Sequence, residues 1–147
     1  METFISSINN QSVLTFVLRV ILGILFFFQG YDRVFKVKIT GVIDFFRQEA
    51  EAESVKIPGF IVTLSAWFTS FVELICGGLL ILGLFKQYAL YLLGIDLILV
   101  TGAFSMIKPM WDMQQLFPRL VLLAILLYLP ADWDVFSADH IIQKFFK

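Results

Sequence analysis

The sequence predicts an all-α membrane protein: a bundle of four transmembrane helices with two amphipathic interfacial helices, one between the first and second spans and one at the C-terminus. Three observations predict it. Hydrophobic residues make up 59% of the 147, against roughly 45–50% in soluble domains, and the mean hydropathy is +0.87. The apolar residues gather into four runs near the ~20-residue length that crosses about 30 Å of hydrocarbon. In lipid the backbone must satisfy its own hydrogen bonds, so such runs are helices and not open strands. The length suits one domain, residues 1–147.

The spans are expected at about 13–35, 60–85, 88–107 and 113–130. The opening METFISSINNQS lacks the positive region of a secretory signal, and Arg19 interrupts the first apolar run, so that run is expected to stay in the mature protein. Between the first two spans, Val42, Ile43, Phe46 and Ala50 recur at helical spacing with Arg47, Glu49, Glu51 and Glu53 on other faces. That pattern predicts a short helix lying on the bilayer surface, and Pro58-Gly59 then resets the chain. A tight turn around GLFKQY makes the second and third spans antiparallel neighbours. In the third connection Trp111 is an interface anchor. Past Pro130, Ile141, Ile142, Phe145 and Phe146 beside Lys144 and Lys147 predict the second interfacial helix.

Composition excludes several functions. Net charge is -1, so no basic field attracts nucleic acid. Cys76 and His140 are each the only residue of their kind. Neither a disulfide, a zinc cluster nor a bis-histidine haem can be built within one chain, and no metal site is expected. Cys76 reads as a small packing residue. Met106, Met110 and Met113 lack a neighbouring Cys or His and read as packing, not as a copper site. No catalytic residue is assigned.

The chemistry-bearing residues are the ionisable ones at membrane depth, which are costly there and mark functional sites. Arg19, Glu73, Asp96 and Arg119 are four such groups, two cations around two central anions. At 100° per residue, Arg19, Gly23, Phe26, Gly30 and Arg33 share one stripe, and Ala66, Thr69, Glu73, Gly77 and Leu80 share another. Asp96 shares its face with Ala89 and Ala103. Small residues on such faces allow close helix approach, so Gly23, Gly30, Gly77 and Gly78 are the expected packing sites. The quartet is then a buried salt-bridge network that fixes register, or an anchor for a ligand or a proton. A separate polar group, Gln29, Asp32 and Arg33 beside Tyr31, marks the exit of the first span and a possible head-group pocket.

The stretches LRVILGILFFFQGYDRVF and VELICGGLLILGLFKQYALYLLG resemble the DoxX/DoxD family of small four-helix bacterial membrane proteins. Arg19, Gly23, Phe27, Gly30 and Arg33 match its first-helix pattern. Glu73, Gly77, Gly78, Gly83 and Leu84 match its second, and IPGF precedes that helix as in relatives. The resemblance covers about residues 15–105. It implies a multi-pass protein of the bacterial inner membrane with cytoplasmic termini, although the lysine and arginine count alone would place the termini outside. It also implies a link to membrane redox complexes, since the family takes its name from a subunit of a thiosulfate:quinone oxidoreductase. Gln29 stands where many relatives carry a histidine. The expected function is a non-catalytic accessory subunit or scaffold, touching lipid and another membrane protein or a second copy, with quinone as the possible ligand. The alternatives are a quinone-linked oxidoreductase subunit and a small proton-coupled transporter.

Overall fold

The computed structural model describes residues 9–107 and 113–145, and every regular element among them is helical. Helix α1 spans Asn10–Tyr31, α2 Lys38–Ala52, α3 Gly59–Leu82, α4 Lys86–Ile107, α5 Met113–Tyr128 and α6 Ala138–Phe145. Trp111 and Met110 of the third connection, and Phe146 of the tail, lie outside the described residues.

Each boundary has a local cause. Asn9 caps α1, its side-chain oxygen accepting from the Ser12 amide at 2.9 Å. Past Tyr31 the helix widens into a π turn, Asp32–Lys36, closed by the Val37 amide on the Asp32 carbonyl at 2.8 Å. Lys38, at φ +61°, then turns the chain into α2. That helix buries Ile39 and Val42 against Ala66 of α3, with Ile43 and Phe46 alongside. Pro58 fixes the entry to α3, whose last residue is Leu82, three residues earlier than the apolar run suggests. Gly83 adopts φ +72°, its amide bonds Leu80 O and the Leu84 amide bonds Leu79 O. This paired closure needs a left-handed residue, so apolar character continues where the helix cannot.

Among the described residues three stretches are long and apolar enough to cross a membrane: Asn10–Lys36, Gly59–Leu82 and Lys86–Ile107. With 16 residues, α5 is about 24 Å long, short of a straight span. It packs on α1 and α4. The most intimate contact is between α1 and α3, which run antiparallel. A Cβ at Gly77 would lie 2.4 Å from Phe27 N, one at Gly30 2.3 Å from Leu74 N and one at Gly23 2.9 Å from Ile81 N. Gly78 differs: its Cβ would meet only the Phe27 ring at 3.6 Å, an ordinary contact. Three of the four expected packing glycines therefore seat backbone on backbone, and Gly78 is corrected to a position with room for a methyl.

The core between the helices is built from Leu22, Phe26, Leu80, Leu90, Leu93, Leu123 and Leu126, with Cys76 packed among them. In the tail, a 3-10 turn at Ala131–Trp133 leads into α6, on which Ile141 and Ile142 are half exposed.

Candidate functional site

The buried charges form two centres at opposite ends of the bundle. One lies at the end that carries the α3–α4 turn and the C-terminal segment, the other at the end that carries α2.

At the turn end, Arg19 is 0% exposed. Its Nε pairs with Asp134 Oδ2 at 3.1 Å. Nη1 donates to the carbonyls of Leu80 and of Ile81, the latter at 3.0 Å, and Nη2 donates to Phe136 O at 3.3 Å. The guanidinium thus caps the C-terminus of α3, where unpaired carbonyls concentrate negative charge. Lys86 Nζ reaches the same Asp134 oxygen at 3.3 Å. Asp139 accepts from the Lys86 amide at 3.3 Å, and its own amide donates to Gly83 O at 3.1 Å. Ser137 closes the segment by accepting from the His140 amide at 3.2 Å. This centre ties the C-terminal segment to the α3–α4 turn and spends the hydrogen-bonding capacity of Arg19 on the fold.

The expected quartet of Arg19, Glu73, Asp96 and Arg119 is therefore divided, because Arg19 does not join the other three. Arg19 lies level with the end of α3, remote from its midpoint, and its partner Asp134 comes from beyond the last span. Sequence reasoning missed Asp134, Lys86 and Asp139 because partners were sought only inside the spans. The available signal was parity: the four expected spans would return the tail to the side of the Lys86 turn. Gly83 is crowded by the same centre. A Cβ there would sit 2.8 Å from Arg19 Nη1 and 2.8 Å from Ser137 Cα. Gly83→Ala adds the cost of a left-handed alanine, ~1–2 kcal/mol, to that collision. A loss of at least about 2 kcal/mol in detergent unfolding is expected.

At the other end, Arg33 Nη1 pairs with Glu73 Oε2 at 2.9 Å, with Glu73 fully buried and Arg33 largely so. The π turn carries Arg33 on the continuation of α1, and the antiparallel register of α1 and α3 brings Glu73 level with it. On the neighbouring face Thr69 Oγ1 donates to Asp96 Oδ1 at 2.5 Å. Asp96 Oδ2 and Gln29 Oε1 are buried without a hydrogen-bond partner among the described residues. Arg119 of α5 stands with its guanidinium carbon 5.5 Å from the centre of the Phe26 ring, a cation–π contact. It makes no ion pair among the described residues.

Four of these groups, Gln29, Arg33, Glu73 and Arg119, line a cavity of about 80 Å³, with Leu97, Val100, Phe104 and Leu116 as its apolar walls. The space exceeds that of a single water. Gln29 and Arg33, expected as a separate exit group, belong with Glu73, Asp96 and Arg119. Asp32 does not: it pairs with Lys36 at 2.7 Å on the exposed side of the π turn. Thr69 was foreseen on the correct face but not as a partner of Asp96, because its hydroxyl carries no charge to be counted. The four ionisable groups sum to zero: Arg33, Glu73 and Arg119 line the cavity with Gln29, and Asp96 is held by Thr69 outside that lining. Such a cavity matches a neutral ligand that both accepts and donates hydrogen bonds.

Comparison with curated proteins and with solved structures gives no match. The family model for DoxX matches residues 14–106, the stretch that holds α1 to α4 with Arg19, Arg33, Glu73 and Asp96. With its apolar helices, its buried charges and this match, the chain is a membrane protein belonging to the DoxX family.

Proposed function

We propose that this chain is a non-catalytic subunit of a redox-linked complex in the bacterial inner membrane, with α5 as its fourth crossing, and that its α2-end cavity receives the head group of a quinone. The termini lie in the cytoplasm, and a second membrane protein supplies the electrons. The observation that carries the reading is the cavity itself. Among the described residues its lining combines an arginine that makes no ion pair with a buried Gln29 oxygen that lacks a donor, and with Asp96 counted the ionisable groups there sum to zero. A quinone is neutral and offers carbonyl oxygens to Arg119; the reduced form offers a hydroxyl proton to Gln29. An anion or a cation would instead leave an uncompensated charge in a low-dielectric site.

Removing one charge-assisted hydrogen bond costs about 1.5–3 kcal/mol, which is on the order of 10–100-fold in affinity. Arg119→Gln is expected to weaken binding of a benzoquinone to the purified protein by at least about tenfold, measured by equilibrium dialysis in detergent. Unchanged affinity in this variant, or no binding by the parent protein, would reject the reading. Thiosulfate-dependent quinone reduction by the chain alone would instead make it the oxidoreductase itself.

A further inference from the structure

A second, apolar hollow adjoins the polar cavity. It is a groove of about 60 Å³ beneath α2, walled by Phe46 of α2, Ile61 and Ala66 of α3, and Leu99 and Ala103 of α4. Ile61 and Leu99 are half exposed on the outer surface of the bundle, so the groove opens sideways, toward lipid.

Three features mark the inner side of the groove, two of them shared with the cavity. Val100 lines both hollows. Thr69 forms part of the groove wall and donates its hydroxyl to Asp96, so the inner limit of the groove is polar. Phe46 of the groove wall meets Phe104 of the cavity wall, with ring centres 5.4 Å apart. The shared wall thus includes one valine and one aromatic pair, and the hydroxyl–carboxylate bond closes the inner end of the groove. Side chains of this kind change rotamer on fast timescales. An apolar groove open to lipid that ends at a polar, neutral cavity has the shape of a site for a molecule with a compact polar head and an alkyl or prenyl tail.

We propose that the tail of the quinone lies in this groove, entering laterally beneath α2 with Phe46 and Phe104 parting around it. The proposal rests on the head-group reading above and adds the seat of the tail. The amphipathic α2 is then the roof of a lateral portal, and its packing through Ile39 and Val42 against Ala66 holds that roof to α3.

The test compares a tail-less benzoquinone with a decyl-tailed one on the full chain, wild type and Ala103→Phe, by equilibrium dialysis. Taking the variant-to-wild-type ratio for each ligand removes its partition into detergent. Ala103→Phe fills the groove and leaves the cavity lining untouched. The tailed quinone is expected to lose at least about tenfold in affinity, since burying two methylenes contributes roughly that much. The tail-less quinone should change by less than about twofold. Equal loss for both ligands, or loss for neither, overturns the tail seat and leaves the head-group reading standing. If wild type binds neither, both readings fall together. Should Ala103→Phe not fold, the wild type is irradiated with a decyl quinone bearing a terminal diazirine. Adducts on Phe46, Ile61 or Leu99 support the portal, whereas adducts confined to α5 positions such as Phe117 and Tyr128 overturn it.

Discussion

Asp134→Ala is expected to destabilise the protein by about 3–5 kcal/mol, the cost of removing one member of a buried ion pair. The magnitude follows from what is left behind. Asp134 is 1% exposed, and its Oδ2 neutralises both Arg19, at 3.1 Å, and Lys86, at 3.3 Å. Without it two buried cations face each other, with main-chain carbonyls and the Phe16 ring against Arg19. Lys86→Met should behave differently, because the Arg19–Asp134 pair survives and methionine occupies much the same volume. A loss of about 1 kcal/mol is expected for it. Asp134→Asn separates charge from shape: the side chain keeps its outline, so a loss close to that of alanine assigns the effect to charge. The measurement is the unfolding midpoint in mixed dodecyl maltoside and sodium dodecyl sulfate. Equal midpoints for Asp134→Ala and Lys86→Met would show that Asp134 does not serve two cations. Quinone affinity should remain within about twofold of wild type in folded Asp134→Asn, because this centre lies at the opposite end of the bundle from the cavity.

Much of the fold was readable from periodicity. The stripe through Arg19, Gly23, Phe26 and Gly30 is the buried face of α1, and Ala66, Thr69, Glu73, Gly77 and Leu80 are buried on α3. Helical phase tells which side of a helix turns inward, and lipid imposes helices, so faces are legible. Partners are not, because phase carries no information about axial level. The glycine register supplies that level. Once Gly23 lies beside the Gly77 carbonyl and Gly30 beside Leu74, Glu73 falls level with Arg33 and Arg19 falls level with the last carbonyls of α3. Asp134 was hidden for another reason: it lies in a polar tail where an aspartate is ordinarily solvated, and only the docking of that tail buries it. The amphipathic pattern of α2 was legible, but not that Phe46 would reach Phe104 and divide one hollow from another. That contact depends on how α2 sits across α3 and α4, which no local pattern encodes.

The two adjacent glycines of α3 give the sharpest contrast in outcome. In Gly77→Ala the new methyl would lie 2.4 Å from Phe27 N and 2.8 Å from Phe27 Cα. Backbone atoms cannot rotate aside as a side-chain end can, so α1 and α3 must separate by about 1 Å to restore van der Waals contact. Overpacking of this kind costs about 1–3 kcal/mol. The separation also lengthens the contacts made across the same interface, Arg33 with Glu73 and Arg19 with the end of α3, so a loss at or above the upper limit of that range is expected. Gly78→Ala, one residue on, meets only the Phe27 ring at 3.6 Å. It should be neutral or stabilising by up to about 1 kcal/mol, since alanine favours a helix interior over glycine. Quinone affinity follows the same division. Gly77→Ala spreads the walls that hold Gln29 and Arg33 against Glu73 and is expected to weaken binding at least about fivefold, whereas Gly78→Ala leaves it unchanged. Unfolding midpoints and dialysis on the two variants decide the matter. If both glycines tolerate alanine alike, the backbone contact of α1 with α3 is not as close as described, and the register that places Glu73 beside Arg33 falls with it.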